Sequence, residues 1–158
     1  MSRDATFQEG GEAPLRLAAF DPDDLTPISA LVQDAVFPIT EMTWQPGQRR
    51  FALLLNRFRW EDAPAAERRD RDFERVRSVL IIENVERVLH QGLDRRDDDQ
   101  ILSLLSISWE AGEPPSGRVV LTLAGDGAIA LQVEALEVFL KDVTRPYRAP
   151  SGRAPQHD

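Results

Sequence analysis

The chain has 158 residues, a formal net charge of −8, no cysteine and two histidines, so it is sized for a single domain and holds neither a disulfide framework nor thiolate ligands. Its negative balance works against the counterion release that drives nucleic-acid binding and against adhesion to an anionic bilayer. With no apolar run of about 18 residues and no signal-peptide segment at the start, the expectation is a cytoplasmic protein that binds neither nucleic acid nor membrane.

Residues 1–13 are polar and glycine-bearing and residues 145–158 carry three prolines without apolar periodicity, so both read as disordered tails around one domain at 14–144. A short strand over 15–20 ends at Asp21-Pro22-Asp23-Asp24. Asp23 or Asp24 can cap a helix running to about Asp34. Leu25, Ile28, Leu31, Val32 and Ala35 fall on its apolar face, with Ser29, Gln33 and Asp34 opposite. A strand over 37–44 must place Pro38 at its start or on an edge. Gln45-Pro46-Gly47-Gln48 suits a type II turn, making 37–60 a hairpin.

The second arm of that hairpin, 49–60, reads as the central strand. Phe51, Leu53 and Leu55 alternate with Ala52 and Leu54, so protein should cover both faces. Further on, Asn56, Phe58 and Trp60 alternate with Arg57 and Arg59, a pattern that takes the strand out to the surface. The charged stretch 61–75 reads as a mobile loop. Residues 76–93 read as two strands with a bend near Glu83-Asn84, and 93–100 as a turn. A strand over 101–109 follows, interrupted by Ser103 and Ser106, then a hairpin of 119–123 with 129–133 around Gly125-Asp126-Gly127. Residues 134–143 fit either helix or strand. Aligning 80–89 with 131–140 gives one shared apolar and glutamate pattern, as two bent strands would. The fold class is α+β: roughly seven to nine antiparallel strands curled into a partial barrel or two-layer sheet, with one N-terminal helix. A pleckstrin-homology-like barrel is one candidate, although such domains end on their helix.

Chemistry-bearing groups are sparse. His157 lies in the tail and His90 stands alone, which suits a histidine at a sheet margin better than a zinc site or a catalytic triad. Gly125-Asp126-Gly127 sits between strands and lacks a phosphate loop's helix start. Asp97-Asp98-Asp99 lacks the ligand spacing of a calcium loop and reads as a solvated turn. No cofactor or metal is called for. Glu83 with Glu134 or Glu137 would form a carboxylate pair if the bent strands are neighbours. The remaining candidate is an arginine and aromatic patch of Arg57, Arg59, Trp60, Arg75 and Arg77, which suits a carboxylate-rich or phosphate-bearing partner. Arg68, Arg69 and Arg71 would extend it, and Glu67, Asp70, Asp72 and Glu74 would offset its field. This balance favours a non-enzymatic protein-binding or scaffold role, with a small carboxylate-dependent enzyme as the alternative.

The run Leu15-Arg16-Leu17, Asp23-Asp24-Leu25, Ile28-Ser29-Ala30 and Gln33-Asp34-Ala35, followed by Arg50-Phe51-Ala52-Leu53, resembles a bacterial family of small proteins classed as a domain of unknown function. Leu55-Asn56-Arg57-Phe58, Trp60-Glu61 and Ala128-Ile129 with Leu131 and Val133-Glu134 resemble it too, so the similarity spans roughly 15–147. The resemblance implies a strand and turn architecture and brings no activity, ligand or catalytic residue.

Overall fold

The computed structural model describes residues 13–68, 74–94 and 96–148. In chain order its elements are β1 (Arg16–Ala19), α1 (Pro22–Leu31), β2 (Ala35–Pro38), β3 (Met42–Gln45), β4 (Arg50–Phe58), α2 (Ala63–Arg68) and β5 (Glu74–Ile82). There follow β6 (Val85–Gln91), β7 (Ile101–Ala111), β8 (Gly117–Leu123), β9 (Ala128–Val133), β10 (Val138–Asp142) and β11 (Tyr147–Arg148). Among the described residues all the strands join one antiparallel sheet of 11 strands in the order β1-β10-β5-β4-β2-β7-β8-β9-β6, with β11 on β5 and β3 on β4. The expected α+β class and the central position of β4 are both found. The tail expected over 1–13 lies outside the described residues except for Ala13, and β11 extends the sheet past the expected boundary at 144.

The cap of α1 is Asp21 rather than the expected Asp23 or Asp24, which lie inside the first turn: the Asp21 side chain accepts from the Asp24 amide at 2.9 Å, with Pro22 first in the helix where no amide is needed. The helix ends at Leu31, earlier than its periodicity suggests, because the Asp34 amide donates to the Leu104 carbonyl and Ala35 opens β2. Ser29, expected on the solvent face, accepts from the Ile107 amide at 2.9 Å, because β2 stops opposite Leu104 and the helix takes its place beside β7. A bulge between Leu104 and Ser106 resets the alternation of β7, so Leu104 and Ile107 both point inward while Leu105 is 38% exposed.

The expected 37–44 strand is two strands separated by a single 3-10 turn, with Pro38 closing β2 where a missing amide breaks no ladder. The hairpin turn is not type II. Pro46–Gln48 form a 3-10 turn and the positive φ falls on Arg49, at 54°. Arg49 tolerates it because its carbonyl accepts from the Val85 amide and its guanidinium pairs with Glu86 and Glu134. Part of the expected 61–75 loop is ordered as a 3-10 turn and α2, with Ala66 buried.

The 134–143 ambiguity resolves as strand. Segments β5–β6 and β9–β10 pair with one another along their length, Leu80 opposite Leu140 and Val88 opposite Leu131. Both bend at one place, where Asn84 takes a φ of 61° and its side-chain amide donates to Ala135 O and Glu137. This bend curls the sheet without closing it. Phe51, Leu53, Leu55, Leu80, Ile82, Leu121, Leu131, Val138 and Leu140 fill the concave side in one apolar cluster, which Leu25, Ile28 and Val32 of α1 join. Cover on both faces of β4 is not found: Ala52 and Leu54 are only half-buried, on the convex side. Nor does a helix follow β10 among the described residues, where a pleckstrin-homology-like barrel would carry one.

Candidate functional site

The structure separates the five candidate binding residues. Arg57 follows Leu55 on the concave face and is wholly buried, and Arg59 is 5% exposed, so neither belongs to a surface patch. The Arg57 guanidinium donates to Glu61 Oε1 and Oε2 at 2.9 and 2.8 Å, to Asp142 Oδ1 and Oδ2 at 3.1 and 3.3 Å, and to Ser78 Oγ at 3.0 Å. Asp142, itself nearly buried, also accepts from Ser78 Oγ and from the Leu15 amide. Arg59 pairs with Asp62 and Glu74. Trp60 lies edge-on against Phe58 and donates its indole N–H to Gln33 O, which ties the end of β4 to the end of α1. The alternation pointing these arginines outward failed because two carboxylates meet Arg57 inside, one from four residues on and one from 85 residues on.

Burial alone would push the Glu61 carboxyl up, but the hydrogen bonds and charge of Arg57 hold it below the ordinary carboxylate range. Burial likewise pulls the Arg57 guanidinium down, and the hydrogen bonds and charge of Glu61, with the charge of Asp142, hold it above its usual value. A depressed carboxyl contributes stability that is complete above the ordinary glutamate value and is lost as pH falls through the lowered one. Glu61→Gln is therefore expected to be less stable than the parent at pH 7. The gap in urea midpoint should narrow as pH falls below about 4. A gap of constant size from pH 7 to pH 3 would count against this linkage.

Arg75 and Arg77 lie on the convex face of β5, and the pairing register places other groups beside them. Ala18, Phe139, Ile81 and Ala52 stand in one row across β1, β10, β5 and β4, and Arg16, Lys141, Val79 and Leu54 in the next. Arg77, Asn56 and Val36 form the third row. Arg16, Arg77 and Lys141 are exposed and make no ion pair with the described residues. Phe20, 60% exposed, stacks edge-on against Phe139. At the other end of the face a groove of about 250 Å³ runs between Val36, Pro38, Leu54, Asn56, Arg77 and Ile101, with the exposed Glu41 also lining it. Ile101 is 63% exposed there, and the Asn56 Oδ1 oxygen has no hydrogen-bond partner among the described residues. Sequence reasoning missed Arg16 and Lys141. Each sits in an apolar strand at an alternate position, but only the register of β1 on β10 sets them opposite one another.

The carboxylates weighed for catalysis are tied up at the bend: Glu83 accepts from Arg50 at 3.1 Å, Glu134 from Arg49, and Glu137 from Asn84 at 3.2 Å. None of them lines the cleft walled by Trp44 and Phe51. That cleft, of about 400 Å³, opens between β3 and β6 and has Met42, Trp44, Phe51, Val88 and Ile129 as walls, with His90 and Asp98 also lining it. Among the described residues no three histidine, aspartate or glutamate side chains are placed to hold a metal ion. No helix among them is long and apolar enough to cross a membrane.

No curated protein and no solved structure matches the chain. A family model described as a protein of unknown function (DUF2948) matches residues 15–157. That span takes in the arginine network, the convex face and the cleft, and the chain belongs to this family.

Proposed function

We propose that the chain is a non-enzymatic protein-binding module whose contact surface is the convex face of β1, β10, β5 and β4. One observation carries the reading: on a chain of net charge −8, Arg16, Arg77 and Lys141 share an exposed sheet face with Phe139, Ile81, Val79 and Leu54. Half-buried apolar area bordered mainly by cations, with Glu41 the acidic group at its groove end, is what a recognition surface needs, and the cationic excess selects an acidic partner segment carrying apolar side chains. Arginine forks suit carboxylates in particular. The carboxylate-dependent alternative is disfavoured by the ion pairs that occupy Glu83 and Glu134.

Selection from a random 12-residue peptide library displayed on phage tests the reading. Enriched peptides are expected to combine Asp or Glu with aliphatic or aromatic residues. They should lose about tenfold or more in affinity to the Arg77→Glu, Lys141→Glu double variant. Absence of enrichment, peptides indifferent to that double variant, or equal retention of the chain on vesicles rich in anionic lipid would each overturn it.

A further inference from the structure

We propose that the cleft between β3 and β6 binds a small organic cation, an amine carried on an apolar ring or chain. The site is distinct from the convex face and independent of its role. Its origin is topological: among the described residues β3 pairs only with β4 and β6 only with β9, so the curled sheet has a seam where two strand edges stay unjoined. Among backbone bonds the Val85 amide to the Arg49 carbonyl bridges the seam at one end. Beyond that bond the concave side opens to solvent. Met42 and Trp44 stand opposite the core residues Leu53 and Phe51, and Val88 opposite Leu131, so the walls are interior side chains exposed where the sheet parts.

At about 400 Å³ the cleft is of a size that holds a small organic molecule. Most of its lining side chains are apolar, Thr40 adding a hydroxyl, and two aromatic rings, Trp44 and Phe51, suit an apolar body and can turn a ring face to a cation. Two ionisable side chains line it, His90 and Asp98. The Asp98 carboxylate makes no hydrogen bond or ion pair with the described residues, while its neighbours Asp97 and Asp99 are held in the turn by the Asp99 amide bonding to Asp97 Oδ1. An unpaired carboxylate beside an apolar chamber selects a positive head group and rejects an anionic one.

Titration of the full chain with tryptamine, and with its neutral alcohol analogue tryptophol, followed by calorimetry and by amide shifts in nuclear magnetic resonance spectra, tests the proposal. Tryptamine is expected to bind about tenfold or more tighter than tryptophol, shifting the amides of β3, β6 and the 96–100 turn. Asp98→Asn, at an exposed turn position, should erase that preference without disturbing the fold. Val88→Phe should weaken both ligands by filling the chamber. Failure of tryptamine to bind, equal affinity for the two compounds, a preference that survives Asp98→Asn, or shifts confined to the convex face would overturn it.

Discussion

Arg57→Ala is expected to lower the unfolding free energy by about 3–5 kcal/mol, the largest single-residue loss outside the apolar core. The substitution removes a cation that is wholly buried and leaves Asp142, 5% exposed at its side chain, as an uncompensated charge next to Ser78. Glu61 suffers less, because its side chain is 32% exposed and water can solvate it. The corresponding change at the convex face, Arg77→Ala, should shift the urea midpoint little, since an exposed arginine without an ion pair contributes little to stability. Pairing Arg57→Met with Asp142→Leu should recover about half or more of the loss, because removing both charges removes the desolvation penalty along with the attraction. Equal midpoints for Arg57→Ala and Arg77→Ala would show that Arg57 is not the buried centre described above.

Two adjacent leucines in β4 supply the second expectation. Leu53 is fully buried between Met42 and Leu80, with Leu140 one strand further, so Leu53→Ala should cost about 2–5 kcal/mol through lost burial and the cavity left behind. Leu54, half-buried on the opposite face, should cost about 1 kcal/mol or less on truncation. Leu54→Ala should nevertheless weaken acidic peptides selected on the convex face. Urea denaturation decides the first comparison, and a larger loss at Leu54 than at Leu53 would invert the assignment of the two faces.

The residues that carry the family resemblance acquire a physical role in this structure. Arg57, Trp60 and Glu61, with Gln33, fasten the end of β4 to α1 and β10, and Glu134 holds Arg49 at the hairpin turn. They build the fold; of the proposed recognition groups Arg16 belongs to that pattern, while Arg77, Lys141 and Leu54 lie outside it.

Much of the architecture is local and was therefore legible in the residues themselves. Alternation marks β4, β8 and β9, the acidic 21–24 turn marks the start of α1 though not which aspartate caps it, and Gly125 takes a positive φ in its hairpin, with Asp126 rather than Gly127 taking the second. The bend at Asn84 likewise follows from a run too long and too β-branched to stay straight. What the residues could not disclose depends on partners distant in the chain. Arginine at position 57 reads as a surface group until Asp142 arrives from 85 residues away to make its burial tolerable. Lysine at 141 and arginine at 16 become neighbours only through the register of β10 on β1, and the cleft exists only because β3 and β6 fail to meet. Backbone propensity and side-chain periodicity act over a few residues, whereas the sharing of charge, the choice of face and the closing of a sheet are settled when segments far apart pack together.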